Sequence, residues 1–163
     1  MLINYEKRDL ERAAVTILIA LYNRNHSTKL RLLYQQDKPD AVLQDSNHRK
    51  LGVEITHLFY DSEEAKMLLG RSRENVHTEE VIELLIKELN NRIIKKEAKI
   101  NTYSTQYPVS LIIRNASLAF GMSDILSVKH LIYKPQGKFV NVWFLSRDGT
   151  DEWLLIDLNH LPG

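Results

Sequence analysis

The chain has 163 residues, enough for one domain with a proper core and short for two, and its 44% apolar and 26% charged residues are the balance of a folded globular protein. The absence of cysteine excludes disulfides and cysteine-ligated zinc, and 22 basic against 21 acidic residues leave a net charge of +1, so a nucleic acid would have to be met by a local basic patch. No apolar stretch reaches the roughly 18 to 20 residues that cross a bilayer, and Met1 to Arg12 is too charged for the apolar part of a signal peptide; a single cytoplasmic domain over 1–163 with no membrane partner is expected.

From Tyr5 to Tyr22, apolar residues at Leu10, Ala13, Ala14, Ile17, Leu18 and Leu21 have the spacing of an amphipathic helix, with Asn4 as its cap. Asn23 to Ser27 is polar and reads as a turn, and Leu30 to Tyr34 as a short strand. Pro39-Asp40 reads as a turn into an extended Ala41-Val42-Leu43, and after polar Gln44 to Lys50 the run Leu51 to Leu58 supplies the second strand of a hairpin. Asp61 to His77 carries charges, one glycine and no clean period, and is expected to be a weakly ordered loop with a helical piece near Glu63 to Leu69. From Thr78, a cap followed by Glu79 and Glu80, the stripe Ile82, Leu85, Ile86, Leu89, Ile93 and Ile100 predicts a long helix. Val109 to Ile113 is a β-branched run, Ser123 to Ile132 is read as a helix, and Phe139 to Leu145 and Trp153 to Leu158 as two strands joined at Asp148-Gly149. The order helix, three strands, helix, strand, helix, two strands predicts an α/β fold with a mixed central sheet flanked by helices.

The hairpin carries the chemistry. Side chains alternate along a strand, so Glu54, Thr56 and Leu58 should share one face while Val53, Ile55 and His57 take the other. If Asp40 lies beside Glu54, their oxygens converge, and oxygen-only ligation suits magnesium, manganese or calcium. A glutamate inside an apolar strand must reach a cation, a donor or solvent. The competing reading is an edge strand with Glu54 facing water. Thr56 would either bond a ligand or simply satisfy the strand, and His57, on the opposite face, is read as a packed histidine.

The order Pro-Asp, about a dozen residues, then an apolar-flanked Glu-x-Thr resembles the active-site hairpin of the PD-(D/E)xK nuclease superfamily, whose restriction-endonuclease-like fold has an α-β-β-β-α-β core. That resemblance spans roughly Tyr5 to Ile113 in element order and departs from the family at Thr56, where a lysine is usual. It implies Asp40, Glu54 and the Ile55 carbonyl as ligands of Mg²⁺ or Mn²⁺, joined by a glutamate of the first helix. Glu6 and Glu11 are the candidates, and Glu11 shares the side of Ala14, Leu18 and Leu21. The lysine would come from the second long helix. At about 100° per residue, Lys96 falls in the apolar stripe, and Lys95 and Lys99 fall on its flank. Lys96 is therefore the expected catalytic lysine, with Lys99 second and Tyr103 as a neighbour. Arg92, Lys95 and Lys99 would meet the backbone phosphates of DNA or RNA. The alternative from the same residues is a nuclease-like domain without catalysis that binds nucleic acid or protein, which the threonine and the near-neutral charge favour. A third reading is a small protein-interaction domain with incidental carboxylates.

Overall fold

The structure, a computed structural model, describes residues 4–58, 78–101, 103, 106–117 and 119–161. A 22-residue helix α1 (Asn4–Asn25) is followed by strands β1 (Leu30–Gln35), β2 (Ala41–Asp45) and β3 (Lys50–Leu58). A 23-residue helix α2 (Thr78–Ile100) leads to β4 (Val109–Asn115). A short helix α3 (Met122–Ser127) and the strands β5 (Val142–Ser146) and β6 (Leu154–Asp157) complete the order expected from the sequence. The segment Asp61 to His77, with its helical piece Glu63 to Leu69, and the capping side chains of Asn4, Thr78, Glu79 and Glu80 lie outside the described residues.

All six strands form one mixed sheet in the order β1-β2-β3-β4-β5-β6. β1, β2 and β3 are an antiparallel meander, β3, β4 and β5 run parallel, and β6 turns back antiparallel. A parallel neighbour needs a long crossover, and α2 lies in the one from β3 to β4. Each face of the sheet has its own core. Ala14, Val15 and Leu18 of α1 pack on Ala41, Leu43, Val53 and Ile55. Ile82, Leu85, Ile86, Leu89 and Ile93 of α2 pack on the other face, against Leu58, Leu111 and Ile113. Leu111, Ile112 and Ile113 are all fully buried, as strands covered on both faces must be.

Several boundaries differ from expectation for local reasons. Ser123 to Ile132 is not one helix: α3 stops at Ser127 and a 3₁₀ turn, Lys129–Leu131, follows. The β-branched Val128 between them has φ −117° and ψ 29°, outside the helical well. Phe139 is buried but precedes the strand, which begins at Val142, because burial alone does not supply ladder partners. β6 ends at Asp157, whose side chain accepts from Asn159 N and starts a 3₁₀ turn at Leu158. Gly149, in the β5–β6 connection, has φ 78°, a conformation that glycine adopts without strain. In α1, Ala13 is exposed and Val15 fills the core instead.

Candidate active site

The β2–β3 register sets Ala41 opposite Val53, so Asp40, one residue further out, falls opposite Glu54. Asp40 continues the ladder with its side chain: Ile55 N donates to Asp40 Oδ2 at 2.8 Å, while Gln36 N donates to Asp40 O at 2.9 Å. A strand residue's N–H and C=O leave the same edge, so the Ile55 carbonyl also points to the side of Asp40. Pro39 is seated on Gly52, where an added Cβ would come within 2.6 Å of Pro39 Cγ and 3.2 Å of Tyr107 Cε2. The missing side chain at Gly52 therefore fixes how the Pro39-Asp40 turn lies on β3.

Glu54 does not face water. It is 5% exposed, on the same face as the α2 core, and Lys96 Nζ donates to its Oε1 at 3.0 Å. The other oxygen, Oε2, is buried without a hydrogen-bond partner. The helix stripe delivers this lysine: Lys96 follows Ile93 by three residues and Leu89 by seven, so its stem runs along the apolar face and its ammonium reaches the strand. Arg92, one turn earlier, meets Thr56, one step further along the same face of β3, with Nη1 3.4 Å from Oγ1. α2 thus runs antiparallel to β3 and sets one cation over each polar side chain of that face.

Glu11 is 4% exposed, with Lys7 Nζ 3.8 Å from its Oε1, whereas Glu6 is exposed. The three acids sense one another. Burial first, then the Glu54 charge, pushes Asp40 up to about 7, against the Ile55 hydrogen bond that lowers it; Glu11 adds to the rise and Lys96 opposes it. Glu11 is raised by burial, partly offset by Lys7, with Glu54 adding to the rise. Tyr103, three residues beyond α2, lies within electrostatic reach of Glu54, and burial first, then the Glu54 carboxylate, raises its hydroxyl well above the usual range.

The remaining expected residues sort by face. Lys95 and Lys99 are exposed on the flank of α2. Arg92 is only half-buried and also pairs with Glu88, Nε to Oε1 at 3.1 Å, so its guanidinium is directed along the helix and toward Thr56 more than outward. His57 accepts from Arg114 Nε at its Nδ1, 3.2 Å away, and burial with the charges of Arg114 and Arg92 lowers it to about 4, so it is neutral near pH 7. It is a packed histidine on the far side from Glu54.

Glu97, next to Lys96 and not singled out in the sequence, is 3% exposed and accepts from Tyr133 Oη at 2.7 Å and Gln136 N at 2.8 Å. The available signal was its spacing, four residues after Ile93 and three before Ile100. It anchors the segment after α3 rather than the site.

No family model, no curated protein and no solved structure matches the chain. The site has to be read from its own chemistry. Among the described residues, no three His, Asp or Glu side chains stand close enough together to make a ready cage for a metal ion. The donor set is instead a pair, Asp40 and Glu54, with a backbone carbonyl beside them and a third carboxylate, Glu11, within electrostatic reach. That set fits a divalent cation on one observation above all: Glu54 Oε2 is a buried acceptor with nothing to accept from. All its donors are oxygens, the preference of Mg²⁺ and Mn²⁺.

Proposed function

We propose that the chain is a divalent-metal-dependent nuclease of the PD-(D/E)xK kind, hydrolysing phosphodiester bonds of DNA or RNA with Mg²⁺ or Mn²⁺. The observation that carries this reading is the buried Asp40–Glu54 pair with Lys96 Nζ 3.0 Å from Glu54. Further support comes from the order α1-β1-β2-β3-α2-β4, with an antiparallel meander and a crossover to a parallel β4. The lysine missing at Thr56 has a replacement that reaches the same carboxylate from α2.

Asp40, Glu54 and the Ile55 carbonyl would hold the ion, with Glu11 as an outer partner. Bound there, the ion supplies Lewis acidity toward a phosphoryl oxygen and lowers the pKa of a water. Asp40 must give up its proton to bind, and the positive charge of Lys96, which favours the ionised carboxylate, helps by offsetting the crowded negative charge. With a cation held at Glu54, Lys96 would be free to orient the attacking water or to stabilise charge developing on the phosphate. Lys95 and Lys99, exposed beyond it, meet flanking phosphates, and Arg92 contributes from the Thr56 side.

A second reading, a nuclease-like binding module without catalysis, is favoured by Thr56 and by the lack of a preformed three-acid cage among the described residues. One assay separates the two. Wild type incubated with Mg²⁺ or Mn²⁺ and mixed single- and double-stranded DNA and RNA should cut, and Asp40→Asn, Glu54→Gln and Lys96→Ala should each lose about 100-fold or more. No cleavage by wild type under any of these conditions would sink the nuclease.

A further inference from the structure

The sheet face that carries Asp40 and Glu54 extends past them toward β1. Antiparallel register sorts its side chains into cross-strand rows, about 7 Å apart along the strands. The first row is Gln36, Asp40 and Glu54. The second is Tyr34, Val42 and Gly52, since Tyr34 pairs with Val42 and Val42 with Gly52. The third is Arg31, Gln44 and Lys50, with Arg31 Nη2 donating to Gln44 Oε1 at 2.6 Å. The irregularity between Leu32 and Tyr34 allows this: Leu32 packs in the α1 core, and the extra residue, Leu33, returns Tyr34 to the Asp40 face.

The middle row is aromatic. Tyr34, next to last in the edge strand β1, is 43% exposed beside buried Val42. The Tyr107 ring comes up against Gly52, its Cε2 3.2 Å from where a Cβ would stand, and its hydroxyl lies within reach of Gln36 and Tyr34. Two rings are therefore held on one face, tied to the turn that carries Asp40, between the acidic row and exposed Arg31 and Lys50.

We infer that this face is a binding track for single-stranded nucleic acid, with a base stacked on the Tyr34–Tyr107 shelf, one phosphate at the carboxylate pair and another, about two nucleotides along, at Arg31 and Lys50. The inference rests on the nuclease reading for the phosphate at Asp40 and Glu54, and it adds the substrate class. A duplex keeps its bases stacked inside and offers no ring face to the shelf, whereas an unpaired base gains contact with a tyrosine whatever its identity. The cations contribute a sequence-independent, salt-sensitive share.

The test is fluorescence anisotropy of the intact chain in EDTA, with a labelled mixed-sequence 12-mer as single strand and as duplex. Single strand should bind about ten-fold or more tighter than duplex. Tyr34→Ala and Tyr34→Leu should each lose about ten-fold on single strand with unchanged far-ultraviolet dichroism, and Tyr34→Trp should keep wild-type binding. Arg31→Ala and Lys50→Ala should each lower the salt slope by about one. Equal binding of both forms, or a Tyr34→Leu protein that binds like wild type, overturns the shelf. Metal-dependent cleavage that is indifferent to strandedness and to Tyr34 would leave the nuclease standing without it. Tyr34-dependent binding by a protein that never cleaves would leave the shelf standing without the nuclease.

Discussion

Asp40 sits between opposing demands, accepting a backbone hydrogen bond while burial and two other carboxylates disfavour its charge. Its pKa is raised from 3.8 to about 7, so the native protein keeps a proton that the unfolded chain releases. The stability this confers is fully present below about pH 4, and it is lost as pH climbs from there to about 7 and is then constant. Asp40→Asn keeps the acceptor for Ile55 N and removes the charge. It should be more stable than wild type at pH 8 by on the order of 2 kcal/mol, with the gap closing toward pH 4, as read by urea melts at both pH values. A variant no more stable at pH 8 would show that the acidic cluster carries no such tension. Lys96 is the counterweight at Glu54. Lys96→Met leaves a buried carboxylate whose pairing cation is gone and should cost about 2 kcal/mol, most of which Glu54→Gln in the same chain should restore. A double variant as unstable as the single one would mean that the lysine stem, not its charge, matters.

At the scale of elements, legibility depended on how much of the answer was local. α2 was readable because its apolar stripe repeats over 23 residues, and the same period placed Lys96 inward and Lys95 and Lys99 outward. The β2–β3 hairpin was readable because Leu51 to Leu58 is an apolar run behind a polar turn, and alternation then put Glu54 and Thr56 on one face, whereas whether that face met water depended on α2 and stayed open. Glu97 and Val128 were missed because the partners that bury the one, and the dihedrals that end α3 at the other, come from contacts far away or from a single residue's backbone. The tyrosine shelf was invisible because it needs the β1–β2 register, including one irregularity that no periodicity announces. Gly52 is where an element-level prediction can be made. Gly52→Ala drives a methyl group within 2.6 Å of Pro39 Cγ and 3.3 Å of Val109 Cγ2, in a row already filled by the Tyr107 ring. Overpacking of this kind costs about 1–3 kcal/mol. The strain should be relieved by lifting the Pro39-Asp40 turn, so Mn²⁺ titration calorimetry on folded Gly52→Ala should show metal binding weakened about ten-fold or more. Unaltered metal binding would mean that the turn does not position Asp40.

Taken whole, the molecule places its polar investment at one point. The two cores are apolar and complete, yet at the place where the meander hands over to the α2 crossover it buries Glu11, Asp40 and Glu54 within electrostatic reach of one another and meets Glu54 with a lysine. Burying like charges together is destabilising unless something else binds there, and a divalent cation would turn that mutual repulsion into ligation. The global consequence is a coupling of metal, proton and fold. Because the donors must be deprotonated, binding has to expel the proton that Asp40 holds up to about pH 7, so the ion competes poorly below that value and freely above it. A ligand that binds only the native state raises its melting temperature by mass action. Millimolar Mn²⁺ should therefore raise the melting temperature by several degrees at pH 8 and by much less at pH 6, and the rise should vanish in Asp40→Asn and in Glu54→Gln at both. An equal rise at the two pH values would separate the ion from Asp40, and a rise that survives in both variants would place it elsewhere on the surface. The reverse slope, stronger at pH 6, would exclude carboxylate ligation altogether, since no carboxylate binds a cation better by holding its proton.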